Sequence, residues 1–154
     1  MDKSKPILVT GATGYIASWI IERLLNQGYS VHATVRDPSK KNKIQHLYDL
    51  ADKSSGQIQF YQADLLEPNS FDEAMQGCEV VIHTASPFVV TNYKDAVKDI
   101  IEPAVKGTEN VLDSVNRTES VKRVVLTSSI ASTYGDAIEI QNTANNEFDE
   151  IGRA

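Results

Sequence analysis

Short apolar runs alternate along the chain with longer segments whose apolar residues recur every three or four positions. Ile7-Leu8-Val9-Thr10 is almost wholly apolar and ends at Gly11, which predicts a strand buried on both faces. From Gly14 to Gln27 the spacing is helical, with Ile16, Trp19, Ile20 and Leu24 as the expected buried side and Gly28 as the stop. Residues 31–35 predict a second strand. Asp37-Pro38-Ser39 then carries helix-start chemistry, since Asp and Ser cap and Pro suits the first turn. The helix it opens is polar, with Ile44, Leu47 and Leu50 as its apolar stripe. A third strand is expected at 58–65, a short helix at 70–77 and a fourth strand at 80–82. The longest helical pattern holds Val97, Ile100, Ile101, Ala104, Val105, Val111, Leu112 and Val115, with Pro103 inside it as an expected kink. Val124-Val125-Leu126, within 123–127, predicts a fifth buried strand. After Asp136 the chain turns polar and Asn-rich, and 136–154 is expected to be loop or disordered.

Strand and helix alternating in this order specify an α/β fold, a doubly wound parallel sheet of about five strands. A chain of 154 residues makes one such domain, expected over 1–135. With 41% hydrophobic and 23% charged residues the composition is that of an ordinary globular protein. Lys and Arg number 15 against 21 Asp and Glu, a net charge of −6. That balance argues against general nucleic-acid binding and against an anionic membrane surface, both of which need excess cations. Cys78 is the single cysteine, so there is no internal disulfide and no Cys-based zinc site, and a reducing compartment fits. Residues 1–6 are polar and lead into no long apolar stretch, so no signal peptide is expected. No apolar run approaches the roughly 18 residues of a membrane span, and a cytoplasmic location follows as the expectation.

The strongest chemical signal is Thr10-Gly11-Ala12-Thr13-Gly14-Tyr15-Ile16-Ala17, between the first predicted strand and the first predicted helix. Gly11 suits a tight turn, Gly14 lets a pyrophosphate approach bare backbone, and the helix N-terminus supplies free N–H groups. Ala17 stands where a third glycine is usual, the smallest departure that keeps the helix close to the strand. The candidate contacts on this loop are Gly11, Thr13, Gly14, Tyr15 and Ile16. At the end of the second strand, Arg36 stands where an NAD site usually has an acidic residue. A guanidinium suits a 2′-phosphate, and Lys43 adds a second cation, so NADP(H) is expected over NAD(H). Asp37 is the competing feature, able to face a ribose or simply to cap the helix.

The stretches Thr10 to Ile16, Val35-Arg36-Asp37-Pro38 and Ala63-Asp64-Leu65 resemble the extended short-chain dehydrogenase/reductases, whose nucleotide domain is of the Rossmann type. His83-Thr84-Ala85-Ser86-Pro87, the run from Pro103 to Leu112, and Arg123 to Ser129 are similar to the dihydroflavonol 4-reductase and cinnamoyl-CoA reductase group. The resemblance implies that Asp64 accepts a hydrogen bond from the adenine amino group and that Leu65 lines the adenine pocket. It places Thr84, Ala85 and Ser86, together with Thr127, beside the nicotinamide ribose and phosphates. Ser129 would be the catalytic serine on the substrate carbonyl, with Ser128 its neighbour. His83 lacks the companions of a metal site and is expected to be structural, in or beside the nucleotide site. Cys78 is expected to pack, and Trp19 to belong to the core rather than to a stacking platform.

The same resemblance calls for a Tyr-x-x-x-Lys pair, whose spacing puts both side chains on one helix face. No tyrosine here is followed four residues on by a lysine, and no lysine occurs after Lys122. The chain therefore looks like the cofactor-binding, N-terminal half of a longer reductase, its sheet incomplete on the C-terminal side and its substrate lobe absent. Apolar surface is then expected on the fifth strand and on the 93–115 helix. The whole protein would be an NADP-dependent oxidoreductase acting on a small carbonyl substrate, with a homodimer possible. A non-catalytic dinucleotide-binding module and a nucleotide-sugar epimerase or dehydratase fragment stay open beside it.

Overall fold

The computed structural model describes residues 2–87 and 93–129, and the expected tail at 136–154 lies outside them. The order is β1 (Ile7–Val9), α1 (Tyr15–Asn26), β2 (Ser30–Val35), α2 (Lys41–Asp52), β3 (Gln57–Gln62), α3 (Asp72–Met75), β4 (Val80–His83), α4 (Glu102–Arg117) and β5 (Arg123–Leu126). A π-helical turn, Val97–Ile101, leads into α4. All pairs are parallel and the sheet order is β3-β2-β1-β4-β5. Central β1 is registered with Val9 beside Ala33 of β2 and Ile82 of β4.

Two cores lie on the two faces, and the alternation of the strands sorts residues between them. Ile7, Val9, Val31, Ala33 and Val35 pack under α1 and α2 with Ile21, Leu25, Ile44 and Leu47. Leu8 and Val81 pack on the other face with Phe71, Met75 and Val111. All three residues of β1 are buried, as an apolar run without alternation requires.

Several expected details differ. The buried side of α1 is Ala17, Ile21, Leu24 and Leu25, with Ile20 only partly covered. Ile16 and Trp19 are exposed, so Trp19 is not core. The phase is set by Ala17, which turns its methyl to the sheet and carries the positions three and four residues on with it. Helix α2 begins at Lys41, because Asp37 spends its carboxylate on a local turn with Ser39. Strand β3 stops at Gln62, where the chain leaves the sheet for turns held by Asp64 and Ser70, and the short helix shrinks to four residues. Pro103 sits in the first turn of α4, directly after the π turn that breaks the regular helix. The buried face of α4 is Gly107, Val111 and Ser114, while Val97, Ile101, Val105 and Leu112 face outward. Strand β5 is not buried: Val125 and Leu126 are exposed, and among the described residues no strand pairs with its outer edge. The surface expected to be apolar on the fifth strand and the long helix is therefore present. No helix among the described residues is long and apolar enough to cross a membrane.

The α1–β2 and α2–β3 connections meet at Gly56, whose N–H donates to the Leu25 carbonyl at 2.9 Å. A Cβ on Gly56 would lie 2.5 Å from the Tyr29 carbonyl oxygen and 2.8 Å from Leu25 Cα, both backbone atoms that cannot step aside. Gly56→Ala is expected to lower unfolding stability by about 1–3 kcal/mol in chemical denaturation, an overpacking cost at an exposed-looking loop.

Candidate functional site

The strand order reverses at β1: the chain winds outward through β2 and β3, then returns to β4 on the other side. Connections from β1 and β4 therefore depart to opposite faces, and a crevice opens at their carboxyl ends. Gly11 turns the chain out of this crevice with φ +68°, a conformation that suits glycine. A Cβ there would stand 3.0 Å from Ala85 Cα and 3.1 Å from Ala85 Cβ. Gly11 thus meets two demands at once, handedness and close approach to the loop after β4.

The loop is fastened on both flanks. Toward β2, the Gly11 N–H donates to Thr34 Oγ1 at 3.3 Å and the Ala12 N–H to the Thr34 carbonyl at 3.0 Å. Toward β4, the Thr10 N–H donates to the Ile82 carbonyl at 3.0 Å, and the Thr84 hydroxyl donates to the Thr10 carbonyl. The fully buried Thr10 Oγ1 accepts from the Thr84 and Ala85 N–H groups, each at 3.1 Å, and lies 2.8 Å from Nδ1 of His83. Burial holds the His83 ring below the usual histidine range, so it is neutral at pH 7. His83 is buried in the frame that joins the two loops. Thr10 and Thr34 were not singled out by sequence as site-building side chains; the signal was a hydroxyl at or next to the end of each apolar run, near the strand terminus that faces the crevice.

Gly14 has φ −78°, so its lack of a side chain rather than its handedness is what matters. Its N–H closes the turn on the Gly11 carbonyl at 2.9 Å. Helix α1 then starts with no side-chain cap and no acidic residue in its first turn. Its leading N–H groups, from Tyr15 to Ala17, lack intrahelical acceptors, and the helix dipole adds positive partial charge. An uncapped, glycine-led helix start beside a crevice is built to receive an anion, and a dinucleotide pyrophosphate fits these donors. Thr13, Tyr15 and Ile16 are exposed there, while Ala17 is 2% exposed and packs in the core, the part assigned to the third small residue.

The other expected residues come to the same edge because all five strands are parallel. Arg36 is exposed just past β2 and pairs with no described acidic side chain. Asp37 accepts from the Ser39 hydroxyl at 2.6 Å and the Ser39 N–H at 3.0 Å, with Lys40 Nζ at 3.3 Å. The Ser39 side chain, then its backbone and Lys40, hold that carboxyl below the usual range. Lys43 is exposed in the first turn of α2. Past β3, Asp64 accepts the Leu66 N–H at 2.9 Å, and Leu65 leans on α4, where a Cβ on Gly107 would come within 3.0 Å of its own Cβ. Asn110 of α4 donates to the Leu65 and Glu67 carbonyls and so fixes this loop, a role the sequence did not disclose. The Thr127 N–H donates to the His83 carbonyl at 3.0 Å, and Thr127, Ser128 and Ser129 are exposed beyond β5.

Cys78 lies outside this edge. Its thiol is fully buried, donates to the Ala74 carbonyl at 3.4 Å and is pushed up to about 12 by burial, which leaves no thiolate. A cavity of about 580 Å³ lined by Gln76, Gly77 and residues 117–120 opens at the opposite, amino-terminal edge of the sheet.

A doubly wound sheet with a glycine turn and an open helix start at its switch point is the Rossmann class of fold. Residues 7–152 match the NAD dependent epimerase/dehydratase family, and the chain belongs to it. It is 52% identical over 126 residues to a cinnamoyl-CoA reductase of Medicago truncatula, covering 82% of this chain and 38% of that protein. It is 39% identical over 148 residues to a dihydroflavonol 4-reductase of Solanum lycopersicum, covering 96% and 37%. Among solved structures, alfalfa vestitone reductase matches with TM-score 0.67 and 34% identity over 84% of this chain and 37% of that one. The yeast methylglyoxal/isovaleraldehyde reductase Gre2 complexed with NADPH matches with TM-score 0.74 and 30% identity over 96% and 43%. The chain spans less than half the length of the curated relatives it matches.

Thr10→Val keeps the shape but removes the hydroxyl, leaving the Thr84 and Ala85 amides without their acceptor. We expect a loss of about 1–3 kcal/mol in unfolding free energy, with Thr10→Ser close to the parent chain, read by thermal or denaturant melts.

Proposed function

We propose that this chain is the cofactor-binding part of an oxidoreductase that moves hydride between NADP(H) and a carbonyl or alcohol carbon of a small aldehyde or ketone. The observation that carries the reading is the uncapped start of α1 in the crevice between β1 and β4. The names of its relatives and neighbours, reductases throughout the pairs described above, support the reaction class.

The open N–H groups of Tyr15 and Ile16 at the start of α1 hold the pyrophosphate, which approaches over Gly11 and Gly14 with Thr13 beside it. Asp64 and Leu65 receive the adenine. Thr84, Ala85, Ser86 and Thr127 line the nicotinamide ribose, and Ser129 orients the substrate carbonyl by donating a hydrogen bond to its oxygen. Arg36 and Lys43 take the 2′-phosphate. The engagement of Asp37 with Ser39 and Lys40 supports NADP(H) over NAD(H), because the carboxylate that would accept from a ribose 2′-hydroxyl already accepts from Ser39, and Lys40 offsets its charge. The cofactor supplies the hydride; the protein's part is binding and orientation.

Two outcomes test this. Arg36→Asp should weaken NADPH binding by roughly 10- to 100-fold and reverse the preference between NADPH and NADH in calorimetric titrations. An unchanged ratio removes Arg36 from the 2′-phosphate. The purified 154-residue chain, with no tyrosine placed four residues before a lysine, should bind NADPH without oxidising it in the presence of aldehydes or ketones. Steady turnover by that chain contradicts the proposal.

A further inference from the structure

We infer that His83 is a positioning residue for the dinucleotide cleft, acting through Thr10 as an obligate proton acceptor; this rests on the dinucleotide reading above. A threonine hydroxyl has one proton to give and two lone pairs to receive with. Both receiving positions of Thr10 Oγ1 are taken, by the N–H groups of Thr84 and Ala85 at 3.1 Å. Only its proton is left for the remaining neighbour, Nδ1 of His83 at 2.8 Å. Nδ1 must therefore be the bare nitrogen, and the ring's proton sits on Nε2. The tautomer follows from counting donors, not from the ring's shape.

The consequence runs through the backbone. The two amides that Thr10 holds set the position of Thr84 and Ala85, and Ala85 is the surface on which Gly11 rests. A proton on Nδ1 would face the Thr10 hydroxyl with a second donor. For the hydroxyl to accept from the ring it must release one of the amides, and its own proton then loses its acceptor. Protonation of His83 thus unfastens the loop after β4 from the glycine turn. The ring is 3% exposed, and its shift away from the charged form has burial as its one cause. Among the described residues no charged group faces it from the packed elements. Strand β1 offers Thr10, β5 sets Leu126 beside His83 and brings the Thr127 backbone N–H to its carbonyl. On α3 and α4 the charges lie at the surface: Asp72 pairs with Arg117 and Glu102 with Lys106, while Glu73, Glu109 and Asp113 are exposed. The ring is neutral above the ordinary histidine value, and its charging lies on the acid side of about 6.5.

The test uses the full 154-residue chain, NADP⁺ as the acid-stable probe, calorimetry from about pH 7.5 to about pH 5, and ¹⁵N spectra of the histidine rings. At the upper pH the spectra should show His83 protonated on Nε2 alone. NADP⁺ affinity of the parent chain should fall on acidification by about tenfold more than that of His83→Asn, whose amide oxygen can accept from Thr10 without titrating. The decline common to both chains belongs to the 2′-phosphate. At neutral pH His83→Asn should stay within about threefold of the parent and His83→Leu should lose about tenfold, with melts confirming that each variant folds. A proton found on Nδ1, or identical pH profiles for the parent and His83→Asn, overturns the inference and leaves the cofactor reading intact. Absence of NADP⁺ binding at every pH overturns the cofactor reading and the cleft role with it, while the nitrogen shifts still decide the tautomer.

Discussion

Gly11 and Ala85 touch because β1 and β4 are neighbours whose chains leave the sheet on opposite faces, and the remaining geometry of the crevice follows from that contact. With a methyl group at Gly11, the Ala85 backbone would have to give by a few tenths of an ångström. That shift would strain the hydrogen bonds by which Thr10 holds the two amides beyond β4. A side chain at Gly11 would also have to adopt a left-handed backbone, which costs roughly 1–2 kcal/mol before any clash is counted. Conformation and packing demand the same residue, and this is why a motif of a few small residues can define the site.

Burial is distributed unevenly around this centre. The face under α1 and α2 is closed, with Ile21, Leu25, Ile44 and Leu47 almost wholly covered. On the other face, the π turn and α4 together carry a second apolar stripe of Val97, Ile101, Val105 and Leu112 that meets no described residue closely enough to be buried, and β5 presents Val125 and Leu126. Single exposed apolar residues are ordinary, but a stripe along a helix beside an apolar strand is not. The asymmetry accords with a chain that covers 37% to 41% of the first four curated relatives it matches.

The sequence disclosed the strands, the glycine turn and the strand-end residues because each depends on short-range pattern. Continuous apolar runs mark strands buried on two faces, and Gly11 needs only its own conformation to be recognised. The phase of α1 was not legible: Trp19 and Ile16 have the hydrophobicity of core residues, but a buried methyl at Ala17 sets the rotation. The limits of α2 were misplaced for a related reason. Asp37 and Ser39 satisfy one another two residues apart, and a carboxylate used in a turn cannot also cap a helix. The π turn before Pro103 and the grip of Asn110 on the β3–α3 loop arise from contacts between segments distant in the chain, which periodicity does not report. Thr10 and Thr34 were hidden by their neighbours. In a run of valines, leucines and alanines a buried hydroxyl looks like one more β-branched side chain, and only the partners 73 to 75 residues away reveal what Thr10 does.

The misplacement of Trp19 has an optical consequence. It is the chain's single tryptophan, 60% exposed, and it stands edge-on to Tyr15 at 6.4 Å between ring centroids, five residues beyond Gly14. An indole so placed emits in a wet environment, at long wavelength, with a phenol close enough to pass excitation to it. Reduced nicotinamides absorb where such an indole emits. The chain therefore carries one native fluorophore on the helix that opens at the crevice, with no second tryptophan to blur its signal.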